Sequence, residues 1–339
     1  MRLIKTEDAV GHVLCHDMTQ IIKDQYKDAR FRKGHVVTEE DIPVLLSMGK
    51  EHLYVWEMTP GMVHENDAAE RLLALCGQEN MIRSGVKEGK IELKAACDGV
   101  FLVDSARLVA VNSQDEVMIA TRKGGMAVRE GDKLAGMRVI PLISVEEKLR
   151  KAEQAAGDKP LLSLKPYVRK TACIVATGGE VKKGLIKDTF TPVVIDKLKT
   201  YGIETLEVVY SGDGVENVRD AVLAMREKKP DMILCTGGMS VDPDDNTPGG
   251  IKAAGANIIA YGAPVLPGAM FLLGYFDDGM PVMGLPGCVM YAGATVFDLV
   301  LPKIAADVPV TRADLAALGE GGLCLGCKPC HYPICPFGK

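Results

Sequence analysis

Two hydrophobic rhythms divide the chain. From residue 171 onward, strand-like and helical stretches alternate: 172–176, 205–210 and 232–235 read as strands, with helices expected over 191–201 and 215–228. A strand–helix alternation predicts a parallel sheet with helices on both faces. Further strands are expected at 270–276 and 282–284, with a helix over 289–299. The fold class is therefore α/β, a three-layer α/β/α arrangement around a mostly parallel sheet over 171–310.

The first half has a different texture. Thr38, Glu39 and Glu40 precede Ile42, Val44, Leu45 and Leu46 as at a capped helix start, and Gly49 ends that helix. Ala68, Leu72, Leu73 and Leu75 suit one face of a helix over 65–76. Strands are expected at 90–96, 100–103, 108–111 and 117–121, joined at turn formers such as Asp98-Gly99 and Asn112-Ser113. Over 144–156 Glu146 stands four residues before Arg150 and Glu147 four before Lys151, as on a solvated helix. The reading is a β-rich α+β N-terminal region over 1–156, divisible into modules at 1–60 and 61–156. A linker over 157–170 and a tail over 311–339 complete the division, and no internal repeat is visible.

Bulk properties narrow this picture. A chain of 339 residues exceeds what one core usually serves, and 47% hydrophobic with 25% charged residues is ordinary for a globular protein. A net charge of −5 and a pI near 5.8 provide no broad basic field for nucleic acid or an anionic membrane. Residues 1–10 mix charged and apolar side chains, unlike a secretory signal, and no apolar run approaches the roughly 20 residues of a membrane helix. The expectation is a soluble cytoplasmic protein without nucleic-acid or membrane partners. Six of the ten cysteines (Cys15, Cys76, Cys97, Cys173, Cys235 and Cys288) are scattered singly through apolar segments and read as core thiols. Apart from the His12/His16 pair, the histidines show no spacing suited to a metal.

Ligands of open α/β sheets settle at the carboxyl ends of the strands, so the loops after each strand are where chemistry is expected. The first carries Thr177-Gly178-Gly179-Glu180, then Gly184 and Asp188; the second carries Ser211-Gly212-Asp213-Gly214. The third runs Thr236-Gly237-Gly238-Met239-Ser240-Val241-Asp242-Pro243-Asp244-Asp245-Asn246-Thr247-Pro248. Glycines let backbone amides approach a ligand, helix N-termini after such loops favour phosphate, and carboxylates beside them suit Mg²⁺ or the N–H groups of a ligand. Taken singly, Asp188 and Asp213 suit helix caps equally well, and the glycines suit simple turns.

Taken together, the loops resemble the molybdopterin-binding domain family. Thr236-Gly237-Gly238 followed by Asp245-Asn246-Thr247-Pro248 is similar to the glycine-rich loop of molybdopterin adenylyltransferases and of gephyrin's corresponding domain. Gly178-Gly179-Glu180 to Asp188 resembles the family's first loop, Asp213 an acidic site residue, and Leu285-Pro286-Gly287 the final loop. The resemblance implies molybdopterin as ligand or substrate. It would be held through Thr177, Gly178, Gly179, Glu180, Asp188, Ser211, Gly212, Gly237, Gly238, Ser240, Thr247, Pro286 and Gly287. Asp245 and Asp213 would be the catalytic acids, acting with Mg²⁺. It further implies a transferase of molybdenum-cofactor biosynthesis, using ATP or molybdate, in a homo-oligomer.

Two departures bear on the reaction. Asp242 and Asp244 make the third loop's rim more acidic, which disfavours a triphosphate unless Mg²⁺ offsets them, and Cys288-Val289-Met290-Tyr291 replaces the amide, proline and hydroxyl residues usual after the final loop. The N-terminal β-rich module, opening with Gly11-His12-Val13-Leu14, resembles the molybdotransferase branch instead. A non-catalytic carrier or sensor, passing the cofactor to a molybdoenzyme or assembly partner, is the alternative. A competence-damage-type relative sharing the fold but acting on nucleotides is a third reading.

Four cysteines remain. Cys324, Cys327, Cys330 and Cys335 are spaced C-x2-C-x2-C-x4-C and followed by Pro336. Four thiolates so placed suit a zinc ion or an iron–sulfur cluster, with His331 as a substitute ligand; the bacterial ferredoxin run is close but has three residues before its last cysteine.

Overall fold

The apolar run from Thr171 forms a strand because none of its side chains needs water: Ala172, Cys173, Ile174, Val175 and Ala176 are all buried. The computed structural model describes residues 2–22, 26–56, 60–179, 185–240 and 245–339. The chain folds into two units. One comprises Met1–Ala96, Val103–Gly124 and Glu130–Ser163, the other Cys97–Leu102, Gly125–Arg129 and Leu164–Lys339.

The second unit is built on a six-stranded sheet. In chain order its elements are β1 (Thr171–Thr177), α1 (Phe190–Lys199), β2 (Glu204–Ser211), α2 (Val215–Glu227), β3 (Met232–Thr236) and α3 (Thr247–Ala253). Then follow β4 (Asn257–Tyr261), β5 (Leu272–Tyr275), β6 (Pro281–Leu285), α4 (Val296–Ala305) and α5 (Arg312–Ala317). The strand order is β2-β1-β3-β6-β5-β4, with β2, β1, β3 and β6 parallel and β5 antiparallel to both its neighbours. Successive side chains of a strand point to opposite faces, and each face has its own cover. Ala172, Ile174, Met232 and Leu234 join Val194 and Leu198 of α1 and Phe297, Val300 and Leu301 of α4. On the other face Cys173, Val175, Ile233 and Cys235 join Val218, Val222 and Met225 of α2 and Ile251 of α3. The three-layer α/β/α arrangement is as expected.

Three expectations change. Residues 289–299 are not one helix: a 3-10 turn over Gly287–Met290 is followed by α4, whose start is fixed by a reciprocal capping box between Thr295 and Asp298. The segment read as a linker contains a strand, Leu162–Pro166, with Leu161, Leu162 and Leu164 buried. The tail is also structured, since α5 and Phe337 add to the core beside α4.

The first unit is α+β. A four-stranded antiparallel sheet of Val117–Thr121, Lys133–Val139, Ile91–Ala95 and Met81–Arg83 carries helices Glu65–Cys76, Ser105–Asn112 and Glu146–Ala156. Two of those helices are tied by Arg71, which donates to Glu146 at 2.9 Å and to both Glu153 oxygens at 2.7 and 2.9 Å. Residues 108–111 lie in a helix rather than the expected strand, because Asp104 accepts from the Arg107 amide at 3.1 Å and starts it. A smaller three-stranded sheet (Arg2–Lys5, His52–Trp56, Val13–Leu14) and helix Asp41–Ser47 enclose Leu14, Met18, Leu45, Leu53 and Val55.

Of the six single cysteines, Cys76, Cys173 and Cys235 are buried, with the Cys76 and Cys235 thiols pushed up to about 12 by desolvation. Cys15, Cys97 and Cys288 are half-buried, so the reading of all six as core thiols holds for three.

Candidate functional site

Sheet register brings the loops together. Thr177 pairs with Ser211, Ala176 with Thr236, and Thr236 with Leu285, so β1, β2, β3 and β6 end side by side at one edge. Because β5 runs backward, β4 returns to the parallel sense and delivers Tyr261 to the same edge, opposite Leu272.

At this edge the first and third loops are bonded into one piece. The Thr177 hydroxyl donates to the Thr236 carbonyl at 3.0 Å, and the buried Thr247 hydroxyl donates to the Gly237 carbonyl at 2.8 Å. The two hydroxyl oxygens lie 3.2 Å apart, and the Thr247 amide donates to the Gly238 carbonyl at 3.2 Å. Gly237 and Gly238 have φ of +81° and +56°, a left-handed pair that side chains resist. A Cβ on Gly237 would run into the Thr177 carbonyl, and one on Gly238 would stand 2.8 Å from the Thr247 hydroxyl.

The first and second loops are latched as well. The Gly179 amide donates to Asp213 Oδ2 at 3.1 Å, the Gly178 amide to the Ser211 carbonyl at 3.3 Å, and Asn217 Nδ2 to the Asp213 carbonyl at 2.6 Å. Asp188 caps α1, accepting from the Phe190 and Thr191 amides at 2.9 and 3.0 Å, and its other oxygen accepts from the Tyr210 hydroxyl at 3.2 Å. Partial burial pushes the Asp188 carboxyl up, but these donors outweigh it and hold the group below its ordinary value. The Tyr210 phenol is raised, first by desolvation and then by Asp188. The Tyr261 hydroxyl is shared between the Met239 and Ser240 carbonyls at 3.2 and 3.1 Å; desolvation and then the charge of Asp245 raise its phenol.

Thr177, Gly178, Gly179, Asp188, Ser211, Gly212, Asp213, Gly237, Gly238, Ser240, Asp245, Thr247, Pro286 and Gly287 therefore lie on or beside the loops at one edge. Glu180, Gly184, Asp242 and Asp244 lie outside the described residues. Asp245 is half-buried just before α3. Pro286 is buried, Gly287 is exposed, and the final loop meets the first where the Thr189 hydroxyl stands 3.1 Å from Met290 Sδ. Sequence reasoning missed Tyr210 and Tyr261. The former is signalled only by its place one residue before a strand end, the latter by a strand that went unread. Among the described residues no group of three or more His, Cys, Asp or Glu is placed to hold a metal ion, the tail cysteines included.

Residues 173–306 match the family described as a probable molybdopterin binding domain. They belong to that family. Its molybdopterin-binding domain occupies most of the second unit, while residues 3–57 match a family described as a domain of unknown function. A CinA-like protein of Mycobacterium tuberculosis is 33% identical over 76 residues, which are 22% of this chain and 18% of that protein. The chain thus spans under a fifth of the length of this curated relative. Among solved structures, MogA aligns over 41% of this chain and 100% of its own at 22% identity, with a TM-score of 0.36. The molybdopterin biosynthesis enzyme MoaB of Thermus thermophilus aligns over 42% and 98% at 16% identity, also with a TM-score of 0.36. Among the described residues no helix is long and apolar enough to cross a membrane.

Proposed function

We propose that the second unit binds molybdopterin at the carboxyl edge of its sheet and acts in molybdenum-cofactor biosynthesis. The observation that carries this reading is the bonded knot of Thr177, Thr236, Gly237, Gly238 and Thr247, which holds a glycine turn in a left-handed shape before any ligand arrives. Such a turn lets a ligand lie directly against backbone.

The hydrogen bonds support a division of roles. The Gly178 and Gly179 amides are already taken by Ser211 and Asp213, so the first loop is a wall and a latch rather than a phosphate cradle. The phosphate falls to the Ser211-Gly212-Asp213-Gly214 turn, where α2 begins at Gly214 without a side-chain cap, and to Gly237-Gly238. A phosphate at the first of these turns meets the Asp213 carboxylate, and Mg²⁺ is the cation that would relieve their repulsion. Asp245, beside Tyr261, is the acid that would orient the pterin or the metal.

Two activities share this site: a transferase that adenylylates the phosphate or inserts molybdate, and a carrier or sensor that only holds the cofactor. The final loop favours the second. Its Cys288-Val289-Met290 segment turns back on itself, and Tyr291 is 78% exposed, giving a surface suited to hand-over. Purified anaerobically, the protein is expected to bind molybdopterin. Supplying ATP with Mg²⁺, or adenylylated molybdopterin with molybdate, then separates the two: turnover lost in Asp245→Ala and Asp213→Asn with the fold preserved identifies the transferase. Binding without turnover identifies the carrier, and no binding refutes both.

A further inference from the structure

The last sixteen residues hold four thiols that molybdopterin binding does not use. Both ends of this segment are fixed to the second unit. Leu323 bridges Leu266, the Cys324 amide donates to the Leu266 carbonyl at 2.8 Å, and the Leu266 amide donates to the Gly322 carbonyl at 2.8 Å. At the far end Phe337 is 2% exposed within the core, and the Gly338 amide donates to the Gly321 carbonyl at 2.9 Å. Between them the Tyr332 hydroxyl donates to the Asp298 carbonyl at 3.0 Å, at the start of α4.

This closed loop surrounds a cavity of about 390 Å³. All four cysteines and His331 line it, and its opposite wall is Pro267 with Tyr291-Ala292-Gly293-Ala294. Cys324 and Cys335 are half-buried and packed against the core, whereas Cys327 and Cys330 stand on the exposed part of the loop. The wall is made for close approach: a Cβ on Gly293 would lie 2.8 Å from both Cβ and Sγ of Cys330. Lys328 lines the cavity, and among the described residues no carboxylate does, which suits an anionic, thiolate-bound occupant. All four are thiols rather than disulfides, so each sulfur can still act as a ligand.

We propose that Cys324, Cys327, Cys330 and Cys335 hold an iron–sulfur cluster in this cavity. A single zinc ion draws four sulfurs to about 2.3 Å from one point. Among the described residues no three metal-binding side chains stand ready around a metal ion, so any occupant of this loop completes the arrangement on binding. A multi-iron cluster instead puts several atoms between its thiolates, and a cavity ringed by four cysteines supplies that room. The C-x2-C-x2-C run with proline after the fourth cysteine matches the chemistry, with four residues rather than three before Cys335. Two ligands set on the core and two on the outer loop let the cluster enter from solvent and be closed over.

The test is reconstitution of the full chain with ferrous iron and sulfide under anaerobic, reducing conditions, followed by desalting and assay of iron, acid-labile sulfide and zinc. The expected result is iron and sulfide in equal amount, up to about four of each per chain, with visible absorption that bleaches on reduction by dithionite. Cys327→Ser and Cys330→Ser lie on the exposed loop, so both should fold while losing at least half of the iron, and the double variant should fall to background. Cys15→Ser, in the other unit, should keep full iron. One zinc per chain without sulfide, iron that survives the double variant, or four thiols that remain free to alkylation after reconstitution would each overturn the proposal.

Discussion

The carboxyl edge of the sheet and the cysteine loop belong to the same unit but treat their reactive side chains in opposite ways. At the edge, polar groups are committed to neighbouring loops: Asp213 to Gly179, Asp188 to the start of α1, Thr247 to Gly237. In the tail, backbone bonds at Leu266 and Gly321, the buried Phe337 ring and the Tyr332 hydroxyl do the anchoring, and the thiols are left around a cavity. A site of the first kind is shaped before its ligand comes, and binding meets little ordering cost; one of the second kind is completed by its ligand.

Thiol reactivity should show this contrast most strongly. In reduced, metal-free protein, alkylation at neutral pH should modify Cys327 and Cys330 at least about a hundredfold faster than Cys76 and Cys235, whose burial raises both thiols to about 12. Mass mapping of a time course reads this, and equal rates would mean that the core opens as readily as the tail. Next in size is Gly237→Val. A side chain at φ +81° that also meets the Thr177 carbonyl should cost about 2 kcal/mol, or roughly 30-fold in molybdopterin affinity if the loop must keep its shape. Isothermal titration against the wild type would show it; an unchanged affinity would remove this turn from the site.

Thr247→Val should follow. It keeps the volume but leaves the Gly237 carbonyl without its donor, costing about 1–3 kcal/mol of stability in urea unfolding. The smallest effect concerns acid. Asp188 and Asp231 both have carboxyls held below the ordinary range; burial opposes this, but amide and hydroxyl donors prevail. A depressed folded value means that their stabilisation is complete above ~4 and lost as pH falls through the lower folded values. Asp231→Asn, which removes the charge facing the Lys170 and Thr171 amides at 2.6 and 2.9 Å, should flatten the stability profile below ~4 and leave it parallel to wild type above.

How much of this was legible in the sequence depended on which physical signal ruled each segment. β1 and β3 were plain because strands covered on both faces exclude polar residues along their length, and the loops after them announced themselves by glycine and acid. Residues 108–111 misled because Val109 and Val111 favour strands, while a single cap at Asp104 decided for helix. The helix expected over 289–299 ignored a legible capping box at Thr295 and Asp298. Tyr261 was out of reach for another reason. Its importance comes from strand order, and nothing local in residues 257–261 says that β5 will be reversed beside it. The pairing of Gly179 with Asp213 is likewise a fact of register rather than of motif.

That reversed strand bears on how the two candidate sites can change over evolutionary time. Loops that end β1, β2 and β3 each lead to a helix that packs on one face of the sheet. The loop after β4 closes a hairpin with β5, held near its base by the Gly262 amide on the Phe271 carbonyl at 2.8 Å. The same connection is also core and anchor: Ala263 and Val265 are buried, Leu266 holds the cysteine loop, and the Pro267 carbonyl accepts from the Val296 amide at 3.3 Å at the start of α4. A change in that connection therefore reaches Tyr261 at the edge, the cysteine loop and the start of α4 together, so the two candidate sites are bound to change in concert.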